Sequence, residues 1–115
     1  MSSYIADLFP VFIESIENAS KVTMEELSEY RKSSLTSESF IKTSYGRKVG
    51  KMYLSIRNAC NADQTPQNIK LRMIAEFCYV RVYTDMHNQT DYAQRCVRQA
   101  ELLKQMVPAF LNAAK

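Results

Sequence analysis

Apolar side chains recur at helical spacing along most of the 115 residues, and this periodicity restricts the chain to an all-helical fold. The clearest stripe lies between about residues 3 and 19. It consists of Ile5, Leu8, Phe9, Phe12, Ile13 and Ile16. Pro10 must lie in the first turn of this helix or kink it, because proline lacks the N–H that a helix interior requires.

Helix-start signals divide the next part of the chain. Thr23–Glu26 forms a capping box that opens a second, short helix. Helical spacing of apolar residues predicts a third helix over Ser37–Cys60. Thr65–Pro66 places an N-cap before a proline, which predicts a fourth helix that continues to about His87.

The fourth helix is apolar on most sides, which is typical of a central helix. Thr90 is predicted to cap a fifth helix, which Pro108 ends or kinks before a short tail, Ala109–Ala114. With two glycines, three prolines and no low-complexity run, the chain offers no linker. The sequence therefore predicts one domain over residues 1–115, a bundle of about five helices.

Several classes of protein do not fit the composition. No apolar run approaches the roughly 18 residues that cross a bilayer, and the first residues do not resemble a signal peptide, so we predict no membrane partner and a cytoplasmic location. Cys60, Cys78 and Cys96 are widely spaced in apolar surroundings, as expected of reduced core thiols. One histidine and no CxxC motif argue against a metal site, and no cofactor is expected.

The charge is unevenly distributed. Residues 36–75 carry seven basic and two acidic side chains, whereas residues 1–35 carry three basic and six acidic ones. On the third predicted helix, one polar face without an acid is formed by Ser44, Arg47, Lys48, Lys51, Ser55 and Asn58. Cations among short hydroxyl and amide groups are typical of phosphate-binding surfaces. The alternative interpretation is an ordinary solvated face.

Two further features allow more than one interpretation. Gly46 and Gly50, on the flank of this face, would let a phosphate backbone approach the helix closely. Tyr79 and Tyr83 lie on one strip of the fourth helix, where they either contact bases or a partner protein, or belong to the core.

Signals for catalysis are few. Arg81 and His87 fit the loose Arg-x(4–6)-His spacing of helical HEPN ribonucleases, in which an acid–base histidine lies beside a phosphate-orienting arginine. Val82 departs from that pattern, since those enzymes usually have a polar residue after the arginine. No other set of catalytic groups can be assembled, so we predict that the protein is not an enzyme and has no catalytic residues.

Between residues 35 and 105 the chain resembles the small all-helical subunit of CRISPR effector complexes. The order of Lys42–Lys48, an amphipathic helix to Arg57 and Ile69–Arg72 before an apolar helix is similar, and Thr43-Ser44-x-x-Arg47 matches a recurrent helix start of that family. The resemblance implies a non-catalytic bundle that contacts nucleic-acid backbone. It also implies that Arg47, Lys48 and Lys51 make such contacts.

The sequence thus predicts a non-catalytic small subunit of a larger nucleoprotein complex that binds the backbone of RNA or single-stranded DNA. The predicted binding residues are Lys42, Ser44, Arg47, Lys48, Lys51 and Arg57. Its other expected partners are protein subunits of that complex, including copies of itself. The alternatives are a helical protein-interaction adaptor or regulator of phage, viral or bacterial origin, and a small HEPN-like ribonuclease.

Overall fold

The structure is a computed structural model that describes the backbone of residues 2–112 and the side chains of residues 4–111. Over this range it contains helices only, which confirms the predicted all-helical fold. The helices are α1 (Ser2–Ala19), α2 (Met24–Lys32), α3 (Ser37–Ile41), α4 (Ser44–Ala62), α5 (Pro66–Asn88) and α6 (Tyr92–Asn112).

Threonine caps the start of four of these helices. The side-chain oxygens of Thr23, Thr36, Thr43 and Thr65 each accept a hydrogen bond from the backbone N–H three residues later, at 2.9–3.1 Å. Each bond satisfies a backbone donor that the first helical turn would otherwise leave free. The caps at Thr23 and Thr65 are those that the sequence predicts.

The single helix predicted over Ser37–Cys60 is wrong, because the chain turns at Thr43. The Thr43 hydroxyl donates to the carbonyl oxygen of Phe40 at 2.8 Å and accepts from the N–H of Gly46 at 2.9 Å. One side chain thus closes the end of α3 and caps the start of α4, which favours two helices over one.

For each proline, one of the two predicted alternatives is wrong, and so is the cap predicted at Thr90. Pro10 lies in the interior of α1 and not in its first turn, and Pro108 does not end α6, which continues to Asn112. Both prolines are exposed, so the carbonyl groups that lose a helical donor lie near solvent. Thr90 does not cap α6 directly, since the helix begins at Tyr92. Of the predicted tail, residues 113 and 114 lie outside the described range.

Four long helices form a closed ring in the order α1, α4, α5, α6, with α6 packed on α1. Neighbouring helices are antiparallel. The end of α1 meets the start of α4, because Asn18 and Ser44 line the same shallow groove. On the other side of the ring, Lys104 of α6 contacts Glu17 of α1 at 3.0 Å. The arrangement is an up-down-up-down bundle with α2 and α3 inserted after α1.

The buried apolar side chains form one cluster inside the ring. The largest fully buried members are Phe9, Phe12, Phe40, Ile5, Ile16, Leu27, Ile56, Leu71, Met86, Leu103, Val49 and Val82. The stripe predicted for α1 therefore faces the core, with Leu8 packed at its edge.

Helices α2 and α3 pack on α4 and α5 through aromatic side chains. Phe40 lies 5.9 Å from both Tyr79 and Tyr83, measured between ring centroids, and 5.8 Å from Tyr30. Tyr53 and Tyr79 stack with centroids 4.5 Å apart and planes 9° apart. Tyr79 is 5% exposed, so the tyrosine strip belongs largely to the core.

The fourth predicted helix is expected to be central, but one side of the corresponding helix is not buried. The corresponding helix, α5, is a member of the ring, and its outer side carries exposed apolar residues such as Met73 and Phe77. Burial within this chain therefore accounts for only part of the apolar surface of α5.

Candidate nucleic-acid interface

The outer face of α4 carries the basic side chains that the sequence places there. Arg47, Lys48, Lys51 and Arg57 are all exposed, because the core side of the helix is occupied by Val49, Tyr53, Ile56 and Cys60. Over the described part of the chain, none of these four cations has a carboxylate within 4.0 Å. Their charge therefore remains available to a polyanion.

Three of these cations line one groove of about 420 Å³ beside α4. Arg47, Lys51 and Arg57 contribute from α4, while Ser37 and Ile41 contribute from α3. Arg47 and Arg57 are ten residues apart, so the row of charge extends about 15 Å along the helix axis. At about 3.4 Å of rise for each phosphate of one strand, this length corresponds to about four nucleotides.

The groove also includes the stacked tyrosines Tyr53 and Tyr79. Because each ring is buried by the other, their faces are not free to stack on bases. The Tyr79 hydroxyl shares a hydrogen bond of 2.5 Å with the Ser37 hydroxyl, and the Tyr53 hydroxyl donates to Glu76 at 3.3 Å. Burial raises the pKa of both phenols, and Glu76 raises that of Tyr53 further, so both hydroxyls stay protonated at neutral pH.

Lys48 and Ser44 lie beside a different, smaller groove of about 260 Å³, between α4 and Ser15 and Asn18 of α1. The Ser44 hydroxyl donates to a carboxylate oxygen of Glu26 at 2.8 Å, and the Ser44 N–H lies 3.3 Å from the other oxygen. An acid from α2 thus occupies the start of α4, and Ser44 is engaged within the protein.

Lys42 lies apart from the row of charge on α4. It lines a groove of about 390 Å³ together with Glu25, Glu26 and Glu29 of α2. These carboxylates make the surroundings of Lys42 acidic, which disfavours a phosphate there. The structure therefore brings Arg47, Lys51 and Arg57 together, places Lys48 on the adjacent side of α4, and separates Lys42 from them.

Gly46 and Gly50 do not serve the role predicted for them, because both are buried. A Cβ atom on Gly46 would overlap the carbonyl oxygen of Phe40, and one on Gly50 would lie 2.5 Å from Cγ2 of Ile41. The absence of side chains lets α3 approach α4, so Gly46 accommodates the backbone of Phe40 and Gly50 the side chain of Ile41, and neither accommodates a nucleic-acid backbone.

The structure does not bring Arg81 and His87 together. His87 packs edge-on against Tyr30 of α2, with Nε2 2.9 Å from the carbonyl oxygen of Ser33. Arg81 is exposed, with its guanidinium 5.7 Å from the ring centroid of Phe77. Six residues along an α-helix correspond to a rotation of about 240°, which explains why the two side chains diverge.

The cysteines are buried singly in α4, α5 and α6. Burial raises the pKa of the Cys78 thiol to about 11 and that of Cys96 to about 12, so neither is a reactive thiolate near neutral pH. Among the residues that the structure describes, no three His, Cys, Asp or Glu side chains form a group suited to a metal ion. No helix between residues 2 and 112 has the length and hydropathy of a membrane span.

Sequence reasoning missed two parts of the interface. Ser37 and Ile41 enter the groove from α3, and Glu26 reaches the start of α4 from 18 residues upstream. The glycine at position 50 is a sequence signal for a close helix contact, but it does not identify α3 as the partner.

Comparison of the chain with protein-family models, with curated proteins and with solved structures gives no match. The resemblance to the small subunit of CRISPR effector complexes stays a prediction.

Proposed function

We propose that the protein is a non-catalytic subunit that binds the phosphate backbone of a nucleic acid on the outer face of α4. The observation that carries the proposal is the row of exposed cations without carboxylate partners in the described chain, Arg47, Lys51 and Arg57, with Lys48 on the adjacent side of the helix. Release of counterions from the phosphates would supply most of the affinity.

The groove favours a single strand, either RNA or single-stranded DNA, over a duplex. Ile41 and Leu54 line it and are 40% and 43% exposed. Apolar side chains beside a row of cations suit a strand whose bases are unpaired, since bases contact the apolar residues while phosphates contact the cations. A duplex would offer the cations phosphates but would keep its bases from Ile41 and Leu54.

A surface that contacts about four nucleotides is small for an independent nucleic-acid-binding protein. We therefore place the protein within a larger nucleoprotein complex, beside other subunits or further copies of itself, where several weak contacts act together. The three unpaired buried cysteines suit a reducing compartment, and we propose the cytoplasm.

The test is binding of the purified protein to labelled 20-nucleotide RNA and DNA, single-stranded and duplex, at 50 mM salt. The variant Arg47→Ala/Lys48→Ala/Lys51→Ala should lose most of the affinity for single strands. The matched control, Lys70→Ala/Arg81→Ala/Arg98→Ala, removes the same amount of charge from α5 and α6. It should retain the affinity for single strands. Equal losses of affinity in the two variants would indicate a nonspecific charge effect and contradict a site on α4. The absence of binding to any of the four nucleic acids would also contradict the site.

A further inference from the structure

Helix α5 carries an apolar stripe on its outer side. Ile69, Met73, Phe77 and Val80 are 37%, 56%, 56% and 39% exposed. Their spacing of four, four and three residues places them on one face of the helix, over about 16 Å, or three turns. This outer stripe explains why α5 is apolar on most sides although only one side faces the core.

No described helix covers the outer stripe. Helix α2 contacts α5 near its C-terminal end, where the Tyr30 hydroxyl donates to the carbonyl oxygen of Tyr83 and Arg31 donates to that of Met86. Ile69, Met73 and Phe77 lie about two to five turns before these contacts. Large apolar residues that recur on one exposed helix face are typical of protein-binding surfaces.

Exposed cations lie along one flank of the outer stripe, the flank that faces α6. Lys70 and Arg81 belong to α5, and Arg81 lies over the ring of Phe77 at 5.7 Å. Arg98 is contributed by the antiparallel neighbour α6, on which Leu102 is also exposed. In the described chain none of these three cations has a carboxylate within 4.0 Å.

The nearest acids along the two helices are already paired. Glu76 lies 3.7 Å from Arg72, and Glu101 lies 3.3 Å from Lys104. The flank of the outer stripe that faces α6 is therefore positive, and the stripe itself is apolar.

We propose that the outer stripe binds an amphipathic helix of another protein, one with an apolar side about three turns long and acidic residues along one flank. The apolar side would pack on Met73 and Phe77, and the acidic flank would face Lys70, Arg81 and Arg98. This is helix-in-groove recognition, in which apolar anchors supply affinity and complementary charge supplies specificity.

A second copy of the chain fits this surface less well. A symmetric antiparallel contact between two outer stripes would place the cations of the two copies opposite one another, where they repel. A symmetric parallel contact would place them opposite the Arg72–Glu76 ion pair, whose carboxylate is already engaged. The proposal does not depend on nucleic-acid binding, since the groove at Arg47, Lys51 and Arg57 involves none of the residues of the outer stripe.

The probe is a designed 16-residue peptide with leucine at every third or fourth position and glutamate along one flank of the leucine face. A second peptide carries lysine in place of each glutamate, and a third is a scramble of the first. Fluorescence anisotropy measures the binding of each to the full chain. We expect the glutamate peptide to bind at least about tenfold more tightly than the lysine peptide and the scramble.

Two variants locate the binding. Phe77→Asp should abolish binding of the glutamate peptide, while Leu54→Asp, a change of similar exposure on α4, should leave it unchanged. Lys70→Ala/Arg81→Ala/Arg98→Ala should bring the affinities of the glutamate and lysine peptides together. Thermal unfolding followed by circular dichroism checks that Phe77→Asp and Leu54→Asp remain folded.

Equal affinity for the glutamate and lysine peptides would overturn the proposal, and so would binding that survives Phe77→Asp. Sedimentation velocity provides a separate check. Dimers that form with rising protein concentration and disappear in Phe77→Asp would show that a second copy occupies the stripe, and would overturn the proposal in that way.

Discussion

Arg31 donates from Nη2 to the carbonyl oxygen of Gln89 at 2.6 Å, although 58 residues separate the two in sequence. Its Nε donates to the carbonyl oxygen of Met86 at 3.0 Å, and its guanidinium lies 5.7 Å from the ring centroid of Tyr92. A single cation from α2 thus satisfies two carbonyl groups at the end of α5, where the helix dipole is negative.

Arg31→Ala should lower the free energy of unfolding by about 1.5 to 3 kcal/mol, the range for hydrogen bonds that involve a charged group. Urea denaturation measures the change. Lys32→Ala is the matched control, since Lys32 only approaches Glu29 at 3.9 Å on an exposed surface and should cost less than about 1 kcal/mol. Equal effects of the two substitutions would show that Arg31 does not cap α5.

Gly46→Ala should destabilise the protein by about 1 to 3 kcal/mol, the usual cost of forcing extra atoms into a packed site. The new Cβ would overlap the carbonyl oxygen of Phe40, and the backbone of α3 would have to shift. This loss opposes the gain of up to about 1 kcal/mol that alanine normally brings to a helix interior.

Asn58→Ala is the control, because it introduces alanine at an exposed position of the same helix, where the new side chain overlaps no neighbour. We expect Asn58→Ala to be neutral or slightly stabilising in the same urea titration. A stabilising effect of Gly46→Ala would contradict the close contact between α3 and α4.

Stability should fall as pH rises above about 9. Burial, followed by the nearby Asp85 carboxylate, raises the pKa of the Cys96 thiol from 9.0 to about 12. Below pH 9 the thiol is protonated in the folded and unfolded states alike, so its full contribution is present. Between pH 9 and 12 the thiol ionises in the unfolded state first, which pulls the equilibrium toward unfolding.

Cys78 acts in the same direction, because burial raises its pKa to about 11. Urea midpoints measured from pH 7 to pH 10.5 follow the loss. Cys96→Ala should lower stability at pH 7 and flatten the decline above pH 9. A decline of unchanged slope in Cys96→Ala would assign the effect to Cys78 or to the buried tyrosines instead.

The affinity for a single strand should depend steeply on salt. If Arg47, Lys51 and Arg57 each neutralise one phosphate, the affinity falls about 20-fold between 50 and 200 mM salt. Arg47→Ala/Lys48→Ala/Lys51→Ala would leave one contact and a fall of only about threefold over the same range. Fluorescence anisotropy titrations at several salt concentrations measure how steeply the affinity of each protein falls with salt. An equal fall in the variant and the unsubstituted protein would place the phosphate contacts elsewhere.

The fold was predictable where short-range patterns determine it. The stripe of α1 and the caps at Thr23 and Thr65 depend on residues within a few positions of one another, and the structure confirms them. Apolar periodicity missed the break at Thr43, because a Ser/Thr-rich segment within a periodic pattern is compatible with both one helix and two. The match of Thr43-Ser44-x-x-Arg47 to a helix start was the one signal for it.

The candidate site was predictable only as far as one helix defines it. Projection of α4 places Arg47, Lys48 and Lys51 on its outer side, as the structure does. The projection contains no information on neighbouring helices. It therefore missed the carboxylate of Glu26 beside Ser44 and the acidic surroundings of Lys42, both of which come from α2.

The closure of the helix ring between α1 and α6 has a consequence for folding. Glu17 and Lys104 are 87 residues apart, whereas α4, α5 and α6 pack on their neighbours in sequence. Since contacts distant in sequence form slowly, we expect these three helices to assemble first and α1 to dock last. On the ribosome, the part of the apolar side of α1 that packs on α6 would then stay uncovered and prone to aggregation until α6 has been synthesised.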